Sequence, residues 1–142
     1  MKNYSYIIID DSQKGVLQTK AIADGFSELL FLASANNYSD GLNLILEYKP
    51  TLVFLEIDPE DSASKLSLAL INELHRFLKV IPRVIITTRK KDLAFDAIQY
   101  EVTDYLLKPV QRIDLIKLIL KLEKSESESR VFKKQSTVCQ EI

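Results

Sequence analysis

Four segments of the chain end in residues whose types could share one piece of chemistry. Asp10 and Asp11 follow the run YSYIII, Glu56 follows TLVFL, Thr87 and Thr88 close VIITT, and Lys108, with Pro109 after it, closes DYLLK. Packed carboxylates repel one another, and one of them keeps its proton unless a cation relieves the cluster. Lys108 supplies one positive charge, and a hard divalent ion such as Mg2+, which takes oxygen ligands, would supply more. An acid pair on a metal, a third carboxylate as nucleophile, and a hydroxyl with an ammonium for the phosphoryl oxygens form the set an acyl-phosphate site needs.

Such residues act together only if the fold brings the segment ends together. The apolar runs Tyr4 to Ile9, Glu28 to Ala33, Thr51 to Ile57, Val84 to Thr88 and Asp104 to Lys108 have strand length and are nearly all apolar on both faces. That pattern predicts a parallel sheet covered by helices, because a solvated face would alternate with polar residues. Between the strands, helical spacing predicts segments from Ser12 as cap to about Ala23, Tyr38 to Tyr48, Leu66 to Leu78, Asp92 to Tyr100 and Ile113 to Leu122. Five βα units with right-handed crossovers give an α/β three-layer sandwich of the flavodoxin-like kind, strand order 2-1-3-4-5. Ligands in such sheets bind outside the carboxyl ends of the strands. Strands 1, 3, 4 and 5 are contiguous in that order, so their terminal residues share a crevice, while strand 2 ends in Ala33 and Ser34 and adds no charge.

Composition narrows the function classes. The chain has 142 residues, 19 basic against 20 acidic, for a net charge of -1. One domain is expected, and no cluster of Lys and Arg marks a nucleic-acid or anionic-membrane surface. The single Cys139 has no internal disulfide partner, no signal pattern opens the chain, and no apolar run nears the roughly 18 residues of a membrane span. A cytoplasmic protein is the expectation. From residue 124 to 142 the composition turns to Ser, Glu and Lys, which reads as a polar linker or tail after a domain of residues 1–123, with RVFKK as a candidate edge strand.

The motifs IIIDDS, KPTLVFLEI, VIITT and DYLLKPV, in this order and spacing, resemble those of response-regulator receiver domains in two-component signalling, over about Tyr4 to Leu122. DYLLKP and the run leading to it are most similar to receivers of LytTR-type regulators. The resemblance implies that Asp10 and Asp11 hold the metal, Asp11 more directly, that Lys108 is the site lysine, and that Tyr105 is the aromatic switch residue. The switch hydroxyl is Thr88 counted back from DYLLKP, or Thr87 counted forward from Pro82, with Thr88 preferred. A histidine kinase or a downstream effector is the implied partner, and the face from Asp92 to Leu122 is the implied homodimer contact. No enzyme activity and no direct nucleic-acid binding by this domain are expected.

One position departs from the pattern. The family places its phosphoacceptor Asp six residues after the proline of KP, and here that residue is Glu56. The extra methylene moves the carboxylate by roughly 1.5 Å, against a catalytic tolerance of about 0.5 Å. Glu56 could instead act as a partial built-in phosphoryl mimic, with one charge and two oxygens. Asp58 is the alternative acceptor, since a two-residue shift keeps the strand face, although Pro59 suggests that a loop has begun there. Asp10, Asp11, Glu56 and Asp58 are the candidate Mg2+ ligands.

Several other features carry less. Asp10 or Ser12 could simply cap the first helix. Tyr105 fits an ordinary half-buried edge aromatic as well as a switch. His75 sits with Glu73 and Arg76 on a polar helix face and is read as a surface residue. Asp58, Glu60 and Asp61 do not make a calcium loop, since Ala69 stands where the twelfth-position Glu would be. A phosphohydrolase of the haloacid dehalogenase type needs Asp-x-Asp at the first strand, and this chain has adjacent aspartates.

Overall fold

The structure is a computed structural model that describes residues 3–141, with side chains described through residue 128. The described residues fall into two compact units, which meet at Gln111 and Arg112. The first holds β1 (Tyr4–Ile9), α1 (Gln13–Ala23), β2 (Leu29–Ala35), α2 (Tyr38–Tyr48), β3 (Leu52–Leu55), a 3-10 turn (Ser62–Ser64), α3 (Ala69–Phe77), β4 (Arg83–Thr88), α4 (Ala94–Ile98) and β5 (Asp104–Leu107). The second is a single helix, α5 (Arg112–Glu141).

All four strand pairings are parallel, in the order β2-β1-β3-β4-β5 expected from the apolar runs. Ile7, Ile9, Val53, Leu55, Val84 and Ile86 point to one face and pack with Ile45 of α2, Leu70, Ile71 and Leu74 of α3, and Ala97 of α4. Tyr6, Ile8, Phe54 and Ile85 alternate onto the other face. Two close approaches show which helix covers which face. A Cβ on Gly41 of α2 would lie 2.8 Å from Ile9 Cδ1, and one on Gly15 of α1 would lie 2.7 Å from Asp10 Oδ2. Helices α1 and α2 therefore cover opposite faces, as a doubly wound sheet requires.

The helix ends follow local chemistry. Ser12 caps α1 by accepting from the Gly15 amide, and Asn37 caps α2 by accepting from the Asp40 amide. Several boundaries differ from expectation: β2 runs on to Ala35, and α4 is shorter, at Ala94–Ile98. β3 stops at Leu55, before the acids that follow, and α3 begins at Ala69, because Asp61 caps a separate 3-10 turn ahead of it. α5 does not stop near Leu122, and the polar stretch, RVFKK included, is helical rather than strand or coil. Glu, Lys, Arg and Gln are good helix formers, and Lys124 and Glu128 are spaced as an i,i+4 pair 4.0 Å apart. Cys139 lies beyond the residues whose side chains are described.

β2 also departs from the two-sided pattern. Leu30 is more than half exposed, as befits an edge strand. Tyr6 sits centrally instead, fully buried, with its ring edge-on to Phe31 at 5.6 Å and Phe54 at 5.5 Å.

The Tyr6 hydroxyl finds no hydrogen-bond partner, and burial, aided by Asp24, pushes its pKa up to about 12. Tyr6 stays neutral longer when folded than when unfolded. Its contribution is therefore whole below its ordinary value of 10.0 and is lost as the pH rises toward about 12. A Tyr6→Phe variant should be as stable as the parent or more so at neutral pH, since it removes an unsatisfied buried hydroxyl. It should also show a shallower loss of stability than the parent between those two pH values, read by urea unfolding.

Candidate functional site

The pairings bring the strand ends together. Ile9 pairs with Leu55 and Leu55 with Ile86, so the next residues of the three strands, Asp10, Glu56 and Thr87, lie level on the α1 face. The Glu56 amide donates to the Ile9 carbonyl at 3.0 Å, and the Lys108 amide donates to the Thr88 carbonyl at 2.8 Å, which places Lys108 just past the end of β5. Thr88 pairs with Leu107 and lies on the opposite face, with Ile86 and Tyr105.

The centre of the site is an ion triad. Lys108 Nζ lies 2.5 Å from Asp10 Oδ2 and 2.8 Å from Glu56 Oε1. Asp10 and Glu56 are both buried, and the Lys108 side chain is only 9 % exposed. The remaining oxygens are engaged as well. Asp10 Oδ1 accepts from the Ser12 amide at 2.9 Å, and Glu56 Oε2 accepts from the Ile57 and Asp58 amides at 2.9 and 3.0 Å. Burial raises the Asp10 pKa above the ordinary carboxylate value, and its bonds to Lys108 and Ser12 offset that only in part. Burial alone would lower the Lys108 pKa, but the bonds and charges of Asp10 and Glu56 outweigh it and lift the ammonium above its usual range.

The other expected site residues stand apart from this triad. Asp11 does not join it, and its Oδ2 accepts from the Asp61 amide at 2.8 Å. Asp58 pairs with Lys90 at 3.6 Å. Thr87 and Thr88 are buried, and the Thr88 hydroxyl has no hydrogen-bond partner. The Tyr105 hydroxyl donates to the Lys90 carbonyl, and burial, followed by the Asp92 and Glu56 charges, raises its pKa. His75 is exposed. A cleft of about 470 Å³ is lined by Asp11, Glu56, Asp58, Lys108, Arg89 and Lys90 among others, whereas neither threonine reaches it.

Three contributors were not singled out in the sequence. Gly15 leaves room for the triad, because a Cβ there would fall 2.7 Å from Asp10 Oδ2 and 3.1 Å from Lys108 Nζ. A glycine inside a helix, where it is unfavourable, was the available signal. Arg89 and Lys90 bring positive charge to the cleft and pair with Glu60 at 3.7 Å and Asp58 at 3.6 Å. The RKK run after the fourth strand carries them.

The receiver resemblance implies Mg2+, which takes near-octahedral oxygen ligands. The donors as arranged do not fit such an ion. Both oxygens of Asp10 and of Glu56 are engaged by Lys108 and backbone amides, and Oδ2 of Asp11 and of Asp58 meet the Asp61 amide and Lys90. Among the described residues no three acids, histidines or cysteines converge as metal ligands. Lys108 offsets one of the two negative charges of Asp10 and Glu56.

No protein-family model matches the chain. An uncharacterized response regulatory protein of Vibrio parahaemolyticus is 28% identical over 132 residues, covering 93% of this chain and 52% of that protein. The sensory transduction protein LytT of Bacillus anthracis is 24% identical over 129 residues, covering 91% and 50%. The chain thus spans about half the length of the curated relatives it matches. Among solved structures, the response regulatory domain of mrkE from Klebsiella pneumoniae is similar with a TM-score of 0.72 at 23% identity, over 87% of this chain and 98% of that one. A LuxR-family DNA-binding response regulator from Staphylococcus aureus is similar with a TM-score of 0.63 at 29% identity, over 83% and 97%. LytT fits the likeness to LytTR-type receivers. Among the described residues no helix is long and apolar enough to cross a membrane.

Two variants probe the triad. Gly15→Ala would gain up to about 1 kcal/mol from helix propensity alone, but the clash with Asp10 and Lys108 should turn it into a net loss of about 1 to 3 kcal/mol in urea unfolding. Lys108→Met strands two buried carboxylates and should cost about 3 to 5 kcal/mol near neutral pH. Part of that cost should return on acidification as Asp10 takes up a proton. In the parent, the contribution of Lys108 is whole below its ordinary value of 10.5 and is lost above it, through the raised folded value.

Proposed function

We propose that this chain, similar in sequence to response regulators and with the fold of their receiver domains, signals through protein contacts without phosphorylation at the usual position. The engagement of both Glu56 oxygens carries this reading: Oε1 is bonded to Lys108 at 2.8 Å, and Oε2 to the Ile57 and Asp58 amides at 2.9 and 3.0 Å. A nucleophile needs a free, aligned lone pair on the attacked phosphorus. Glu56 presents a carboxylate already paired with Lys108, as a standing partial mimic of a phosphorylated acid. The triad then holds one conformation, and the domain works as a binding module of a response regulator rather than as an enzyme.

Residues 1–123 would be the signalling module and residues 124–142 the connection to whatever it controls, in a cytoplasmic setting. The partner would be a signalling protein, either a histidine kinase or a downstream effector. Contact through the Asp92 to Leu122 face, with a second copy, is supported by the exposure of Phe95 and Ile98 on α4. Direct nucleic-acid contact by this domain is not part of the reading, because basic and acidic residues nearly balance.

Asp58 supports a second reading, in which a histidine kinase phosphorylates it, or less readily Glu56, with Mg2+. It lines the same cleft as Lys108, with Lys90 beside it to receive phosphoryl oxygens. Intact-mass measurement after incubation with acetyl phosphate and Mg2+ separates the two. The first reading expects no phosphoryl increment on the parent chain and no saturable binding of Mg2+ with beryllofluoride. An increment lost in Asp58→Asn would establish the second reading. Glu56→Asp that gains no labelling would mean that more than the acceptor has changed.

A further inference from the structure

At the opposite end of the sheet, where β3 and β4 begin, lies a cleft of about 650 Å³ between the end of α2 and the loop that follows α3. Its apolar lining includes Phe77, Val80 and Ile81, with Phe77 56% and Val80 85% exposed. A valine and a phenylalanine this open to water, three residues apart in sequence and over one cleft, are more than the scattered apolar residues of an ordinary surface. The charged side chains that line the cleft are Lys49, Lys79 and Arg83, and no Asp or Glu lines it. Arg76, 5.9 Å from the Phe77 ring, is paired with Glu73 at 3.4 Å and is not counted in this charge. In a chain whose net charge is -1, this is a local excess of positive charge around an apolar floor.

We propose that this cleft docks an acidic amphipathic helix of a partner protein, with apolar side chains on Phe77, Val80 and Ile81 and carboxylates facing Lys49 and Lys79. Charge selects this occupant. A second copy related by two-fold symmetry would bring the same cations face to face, and like charges in contact repel. A nucleic acid would want a track of cations along its backbone and several stacking rings, and this cleft is floored mainly by aliphatic side chains around one aromatic ring. An apolar groove with a basic rim suits the helix-in-groove mode, in which apolar anchors supply affinity and complementary rim charges steer the encounter. The cleft shares no residue with the Lys108 triad, so this proposal stands independently of how Glu56 is read.

The test is a peptide-display selection of randomised helical peptides on the immobilised full chain, followed by amide chemical-shift mapping with the selected peptides. Enriched peptides should carry apolar residues at helical spacing flanked by Asp and Glu. Their shifts should centre on Lys49 to Thr51 and Phe77 to Arg83, and Val80→Asp should weaken them by at least about tenfold. Val80 is largely solvated, so an unchanged thermal unfolding curve for Val80→Asp confirms that the loss is one of docking. Failure to enrich any such peptide, enrichment of basic sequences, shifts centred elsewhere, or binding unaffected by Val80→Asp would overturn the proposal.

Discussion

A buried ammonium held between two buried carboxylates governs the carboxyl end of this sheet. Lys108 reaches Asp10 and Glu56 from sequence distances that only the strand order can close, and each carboxylate finds its remaining partners in backbone amides next to it. Breaking such a buried arrangement is costly, because one uncompensated charge is left in a poorly solvated place. The surrounding structure is consistent with that need. α1 carries glycine where its helix crosses the triad, and β3 ends so that the Ile57 and Asp58 amides turn toward Glu56.

The length of one side chain then decides the character of the site. A shorter acid at residue 56 could not, from the same backbone, reach Lys108 and the two following amides in the same way. With glutamate both oxygens are satisfied from within the chain, and one oxygen of Asp11 and one of Asp58 are engaged by the Asp61 amide and by Lys90. The cleft above keeps its acids and cations yet offers no converging set of free oxygens.

Much of this arrangement was legible in the chain. The apolar runs on both strand faces called for a parallel sheet, and residues after the first, third and fifth strands, Asp11, Glu56 and Lys108, line the cleft. The register of β3 and β4 could not be read in the same way. It sets Thr87 level with Asp10 and Glu56 and turns Thr88 to the other face with Tyr105, whereas counting along the sequence preferred Thr88 and left Thr87 open. The polar end of the chain misled for a simpler reason. Ser, Glu and Lys suit both a solvated linker and a solvated helix, and composition alone does not separate them.

The sequence by itself determined the architecture and the cast of the site, because backbone patterning and the residues at strand ends are local properties. It also determined that the residue after the third apolar run is a glutamate, with one more methylene of reach than an aspartate has. Only the tertiary structure decided which carboxylates Lys108 pairs with, that Asp11 faces Asp61 instead of its neighbour's partners, and that Gly15 makes the space for them. Those outcomes depend on side-chain direction and on contacts between residues far apart in the chain, and a linear pattern carries neither.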